Sequence, residues 1–196
     1  MRKIVLASKS PRRKEILQSL KIPFQTITSD FDESICDIKE PSSLVKNLSQ
    51  GKAESVMDLL KEPSLVIGSD TIVVFNNMIL GKPKNEEEAF EFISMLEGKK
   101  HEVYSGIAIV DTESDNVYVN YEKTNVYMRH IKETEIQSYI KSGEPMDKAG
   151  AYGIQGIGSV FIERIEGDFY SVMGFPILKL YEGLNSFDIN LFDFQG

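Results

Sequence analysis

One cysteine, Cys36, in a chain of 196 residues excludes any internal disulfide and makes a reducing, cytoplasmic setting the expectation. No apolar run approaches the roughly 18 residues that a membrane helix requires. Ile4-Val5-Leu6-Ala7 is too short for the apolar centre of a signal peptide and reads as a first buried strand. Without secretion, the glycosylation match Asn47-Leu48-Ser49 has no use. Positive charge is scarce: 22 Lys and Arg face 30 Asp and Glu, a formal net charge of −8. A general polyanion binder carries a basic field, so neither nucleic acid nor a membrane is an expected partner. The two histidines, His101 and His130, both at expected strand positions, cannot build a typical zinc site. No Gly-x-Ser-x-Gly nucleophile elbow, repeat, low-complexity tract or linker is present.

What remains is ordinary globular material, 41% hydrophobic and 27% charged, long enough for one domain over residues 1–196 with two lobes around a cleft. Strand Ile4–Ala7 leads into a helix that Ser10 caps and Pro11 opens. A second strand spans Pro23–Thr28, and Ser29–Glu40 is acidic and loop-like. A helix is expected over Ser43–Leu60. Leu65–Gly68 reads as a buried strand, followed by a hairpin of Thr71–Phe75 and Met78–Leu80 around Asn76-Asn77. Asn85 caps a helix to Glu97, and His101–Val110 and Val117–Met128 form two long strands joined by the turn 112–116. A short helix Thr134–Lys141, a Gly-rich loop region Glu144–Gly158, a strand Val160–Ile165 and a last helix from Pro176 complete the pattern. Alternating strands and helices with hairpins interspersed predict an α/β fold with a mixed sheet.

Five constellations could carry chemistry. Ser8-Lys9-Ser10-Pro11-Arg12-Arg13 puts two arginines in the first turn of a helix, where acidic residues are normally favoured. A bound anion would reverse that cost, and a solvated basic turn is the competing reading. Lys52 falls four residues from both Leu48 and Val56, on the apolar stripe of its helix; read from that helix alone, it is a lysine snorkelling past the core edge before it is a site residue. Asp70 is a carboxylate within Val66–Val74, where every other long side chain is apolar. Such a group is paired, metal-bound or catalytic, unless it is an Asx-type turn between strand and hairpin. Gly68 beside it suggests a close backbone approach. Lys82 sits in the rigid turn Gly81-Lys82-Pro83, either as a plain loop lysine or as one more cation. The run Ser142–Gly156 is neither a dinucleotide fingerprint nor a Walker loop, but an ordered glycine-rich loop with one glutamine, Gln155, could read a base edge.

Taken together, these segments resemble the Maf family of nucleotide pyrophosphatases from about Ile4 to Leu180. The resemblance rests on seven ordered motifs: Leu6 through Arg13, Asp32-Glu33, Lys52-Ala53, Gly68–Thr71, Gly81–Pro83, Glu144–Gly156, and Tyr170–Pro176. It departs only at Ser105, where many members have Thr, and at Phe175, where Leu is common. It implies an elongated mixed β-sheet flanked by helices, with two lobes around a cleft. The implied reaction is cleavage of a nucleoside triphosphate between the α- and β-phosphates, with a divalent metal, Mg or Mn, as cofactor. By the same resemblance Asp70 is the base, Glu33 joins it at the metal, and Ser8, Arg12, Arg13, Lys52 and Lys82 surround the triphosphate. Arg13, Thr71 and Gln155 are associated with substrate choice. The Arg12-Arg13 pair with Ala151–Gly156 resembles the branch that prefers dTTP and UTP. A homodimer is an expectation carried by the resemblance alone. Two other functions remain open, a house-cleaning pyrophosphatase for modified nucleotides and a nucleotide-sensing regulator of septum formation.

Overall fold

The computed structural model describes residues 2–114 and 116–194; Asp115, in the turn expected at 112–116, lies outside them. In chain order the described elements are β1 (Lys3–Ala7), α1 (Pro11–Ser19), β2 (Gln25–Ile27), α2 (Pro41–Glu54), β3 (Ser64–Phe75), β4 (Met78–Leu80) and α3 (Glu86–Leu96). They continue with β5 (Lys100–Asp111), β6 (Val117–Met128), α4 (Glu133–Ile140), β7 (Ile162–Glu166), α5 (Phe169–Met173) and α6 (Ile177–Ser186). The strands order as β2-β1-β3-β5-β6-β7, with β4 on β3. β1 runs parallel to β2 and β3, while β4 and β7 are antiparallel to β3 and β6. The sheet is therefore mixed and the class α/β, as the alternation of patterns predicts.

The chain forms two compact units, one of Met1–Asp70, Ser105–Glu122 and Gly174–Gly196, the other of Thr71–Tyr104 and Lys123–Met173. Strands β3, β5 and β6 contribute residues to both. In the first unit Val5, Ala7, Val66, Ala108 and Val110 of the strands pack with Ala53 and Val56. Full burial of each larger apolar side chain contributes about 1.5–3 kcal/mol. Helix α2 sits unusually close to these strands because two glycines make room. A Cβ on Gly68 would lie 2.1 Å from the Ser49 carbonyl oxygen, and one on Gly106 would lie 2.3 Å from that of Val45. What approaches Gly68 is thus the backbone of α2.

Helix α2 starts earlier and ends sooner than its apolar stripe suggests. Pro41 opens it, and the Glu40 carboxylate accepts from the backbone N–H of Ser42 and Ser43. It ends at Glu54, where the Ser55 hydroxyl turns back to the Lys52 carbonyl. Met57–Leu59 is a separate 3₁₀ turn, and Leu59 is exposed rather than part of the stripe. Strand β3 differs as well: it runs unbroken from Ser64 to Phe75, so Asp70 is a strand-interior residue and not an Asx turn.

In the second unit α3 and α4 pack over Val73, Phe75, Val103 and Met128. Asn85 caps α3 by accepting from the Glu88 N–H, and Gly98 closes it at φ +64°. The β3–β4 turn places Asn76 and Asn77 at φ +48° and +64°, the two positive values that a tight type I′ hairpin needs. Two elements escaped the sequence pattern. Residues 144–161 contain three 3₁₀ turns, and α5 is a single short helix anchored by Asp168, which accepts from the Ser171 N–H at 2.7 Å. His130 lies just past β6 and is exposed, while His101 is within β5 as expected.

Candidate active site

In the first unit, the close seat of α2 sets the position of Lys52. Its ammonium donates to Asp70 Oδ1 at 2.5 Å and stands 2.7 Å from Glu33 Oε1. The Lys52 side chain is only 13% exposed, so it is a paired buried cation rather than a snorkelling one. Glu33 reaches it through a local brace. Gly51 leaves space on α2 for the Phe31 ring, whose edge a Cβ there would meet at 2.4 Å. The Ser29 and Ser55 hydroxyls meet at 2.8 Å. Asp32 then accepts from the Ser34 N–H and starts the 3₁₀ turn that carries Glu33.

Asp70 is 7% exposed, and burial pushes its carboxyl up from the usual range. Lys52 and Arg13 pull it back down, and the charge of Glu33 adds a smaller upward push. A buried carboxylate raised by desolvation and flanked by specific charges is the arrangement found at proton-transfer sites.

Arg13 comes from the first turn of α1, behind the expected Ser10 cap and Pro11. Its Nε donates to the Gly174 carbonyl at 2.8 Å, and Ser69 donates to that oxygen and to the Gly106 carbonyl. Burial lowers the Arg13 guanidinium below its ordinary value, opposed by Asp70 and Glu33 and reinforced by Arg12. Arg13 is therefore half-buried, anchored and electrostatically coupled to the two carboxylates, unlike a solvated basic turn. Arg12 precedes it in the same turn, which contains no acidic residue. Ser8 is buried and accepts from the Ser10 N–H at 3.1 Å. The structure thus brings Arg13, Glu33, Lys52 and Asp70 together in one unit, with Ser8 and Arg12 on the adjoining β1–α1 segment. Sequence reading gave no role to Ser69 and Gly174, although both lie in motifs it singled out, and passed over Gly106; the carbonyl of Gly174, held by Ser69, anchors Arg13. The Tyr170–Pro176 motif was visible, but its contact with Arg13 depends on chain separated by 161 positions.

The other singled-out residues belong to the second unit. Thr71 follows Asp70 directly on β3 and is half-buried. Lys82 is exposed beyond β4; the carbonyl of neighbouring Gly81 accepts from the Gly150 N–H at 3.0 Å, tying this turn to the Gly-rich segment. Gln155 is exposed on that segment. Within the same unit, His101 Nε2 and the Tyr152 hydroxyl are 2.6 Å apart, and burial lowers His101 to about 4. This histidine is neutral near pH 7 and braces a tyrosine.

The donor set can be tested against a divalent cation. Among the described residues, no group of three or more His, Cys, Asp or Glu could hold an ion. Two carboxylates, Glu33 and Asp70, do converge on a single cationic atom, the Lys52 ammonium. That oxygen pair suits Mg²⁺ or Mn²⁺ arriving with phosphate oxygens and water, and does not suit a metal held by protein alone.

A mixed α/β sheet thus carries a buried carboxylate held by a lysine and faced by an arginine, a cluster of the kind found in enzymes that move protons. The family model described as Maf-like protein matches residues 3–187. The chain belongs to the Maf family. It is 50% identical over 190 residues to a Clostridium perfringens protein named dTTP/UTP pyrophosphatase, covering 96% of this chain and 99% of that one. It is 47% identical over 191 residues to a Bacillus cereus protein of the same name, covering 97% and 98%. A looser likeness links it to the Staphylococcus aureus Ham1 protein, with TM-score 0.45 and 15% identity over 82% of this chain and 80% of that one.

Proposed function

We propose that this protein hydrolyses dTTP and UTP to the nucleoside monophosphate and pyrophosphate, with Asp70 as the base. The carrying observation is the buried Asp70 carboxylate, raised by desolvation yet held by Lys52 and faced by Arg13. Relatives at half identity over almost their whole length support the substrate class.

Asp70 accepts a proton from water as the water oxygen attacks the α-phosphorus. The bond from that phosphorus to the α–β bridging oxygen breaks, and pyrophosphate leaves with the bonding electrons. Lys52 opposes the effect of burial and favours the ionised form of Asp70. Arg12, Arg13, Lys52 and Lys82 are assigned to the triphosphate, whose roughly four negative charges need clamps of this kind. Ser8 and the N–H groups at the start of α1 add hydrogen bonds to phosphate oxygens. Glu33 and Asp70 would hold Mg²⁺ or Mn²⁺, which supplies charge neutralisation on the phosphates. Gln155 is assigned to the base, with Arg13 and Thr71 contributing to nucleotide choice. A cytoplasmic setting, where nucleoside triphosphates are made and used, belongs to the same reading.

A panel of canonical and modified triphosphates tests the proposal, with pyrophosphate and orthophosphate measured separately in Mg²⁺ and Mn²⁺. Pyrophosphate from UTP and dTTP in preference to purines is expected. Preference for inosine triphosphate would replace this reading with a house-cleaning one. Nucleotide binding without any pyrophosphate release would replace it with a sensor.

A further inference from the structure

The Gly-rich segment of the second unit is closed into a tight loop by two side chains that have no part in the proposed chemistry. Gly153 and Gly158 pass so close that a Cβ on Gly158 would lie 3.0 Å from the Gly153 nitrogen. The Glu144 carboxylate grips the far side: Oε2 accepts from the Ile157 N–H at 2.9 Å and Oε1 from the Gly158 N–H at 3.0 Å. The Tyr139 hydroxyl, on α4, donates to Glu144 Oε1 at 3.1 Å, and the nearby Gly153 N–H favours its ionised form. Glycine is needed where these groups touch. A Cβ on Gly156, itself at φ +75°, would lie 2.7 Å from Glu144 Oε2, and one on Gly158 would lie 2.6 Å from the Tyr139 oxygen.

Glu144 is held in turn. Gly143, in the left-handed region at φ +74°, starts its 3₁₀ turn, and the Lys148 ammonium donates to the Glu144 carbonyl at 2.6 Å. Burial pushes the Glu144 carboxyl up, but the Gly158, Ile157 and Tyr139 hydrogen bonds outweigh it and leave the group below its ordinary value. The clasp is therefore a carboxylate near pH 7. Gln155, exposed, sits midway between the held residues 153 and 157.

We infer that Glu144, with Tyr139, is a positioning residue for nucleobase selection: it closes residues 153–158 and so fixes the direction in which Gln155 presents its amide. Uracil and thymine offer an N–H donor beside carbonyl acceptors, whereas cytosine offers a ring-nitrogen acceptor beside an amino donor. A carboxamide can match either pattern by turning over. Selection between them requires a backbone that does not shift, and this loop is fastened on both sides of the glutamine.

The inference rests on the proposed dTTP/UTP activity and on Gln155 as base reader. Its test is the ratio of kcat/KM for UTP to that for CTP in wild type, Glu144→Gln and Gln155→Ala. Glu144→Gln keeps size but turns one acceptor into a donor facing an N–H. The ratio should fall about 10-fold, the cost of one charged hydrogen bond, mainly through a higher KM for UTP with kcat nearly unchanged. Gln155→Ala should lower it at least as far. An equal loss on both nucleotides, or an unchanged ratio in Glu144→Gln while Gln155→Ala lowers it, overturns the inference alone. A wild-type enzyme with no preference for UTP overturns the functional proposal, and the inference with it. If Glu144→Gln does not fold, Tyr139→Phe carries the same test by deleting the hydroxyl that donates to Glu144.

Discussion

In the first unit, Glu33 and Asp70 share the Lys52 ammonium, and Arg13 is coupled electrostatically to both carboxylates. In the second, Glu144 accepts from two backbone N–H groups and from Tyr139, and Tyr152 meets a neutral histidine. The first arrangement leaves a buried carboxylate whose proton affinity depends on its neighbours' charges, which suits proton transfer. The second fixes the course of a loop and leaves its exposed glutamine free to meet a ligand. Charge tuning and backbone fastening are separable, and substitutions in the two places should fail in different ways.

The largest effect belongs to Asp70→Asn. Turnover should drop about 10²- to 10⁴-fold, the range for losing a general base, while the nucleotide Kd measured by calorimetry changes little. Next is Lys52→Met, which strands Asp70 and Glu33 without their shared cation. Stability should fall by up to about 3 kcal/mol in urea titration, limited because Asp70 can escape by taking up a proton. Since Lys52 holds the Asp70 carboxyl down, its removal raises that group further. The acid limb of kcat/KM should therefore move to higher pH, a shift that Glu144→Gln should not produce.

Gly68→Ala should follow, destabilising by about 1–3 kcal/mol by overpacking α2 against β3, and lowering kcat because Lys52 rides on the displaced helix. A variant with normal stability and kcat would break the claim that the glycine seat sets the Lys52–Asp70 contact. The smallest effect is a pH dependence in the second unit. His101 lies at about 4 when folded against 6.5 when exposed. The unfolded chain therefore takes up the proton first as pH falls, and stability that is complete above 6.5 is lost between 6.5 and 4. About one pH unit below 6.5 the loss is about 1.4 kcal/mol. It should be read as the difference in urea stability between wild type and His101→Gln over that range.

Much of the fold could be read from local chemistry. The Ser10-Pro11 start of α1, the Asn76-Asn77 hairpin and the Asn85 cap each state their geometry in two or three adjacent residues. The end of α2 was misjudged because an apolar stripe continues past the serine that stops the helix. The break expected in β3 reflected the polarity of Ser69-Asp70, a feature that long-range partners reverse. Of the candidate site, Asp70, Lys52 and Arg13 stood out by misplaced charge: a carboxylate in a strand, a lysine on an apolar stripe, arginines at a helix start. Ser69, Gly106 and Gly174 gave no such sign, since a hydroxyl or a carbonyl is unremarkable until the residue it aims is known. Glu144 was hidden for a related reason: an exposed-looking glutamate beside proline becomes a clasp only when residues 157 and 158 return to it.

The most direct test of the central claim is pyrophosphate release from UTP and dTTP by wild type and Asp70→Asn, at matched nucleotide occupancy with Mg²⁺ or Mn²⁺. The expected result is one pyrophosphate and one monophosphate per nucleotide consumed by wild type, and almost none from a variant that still binds nucleotide. Wild-type-like release by Asp70→Asn, or orthophosphate as the wild-type product, would contradict it.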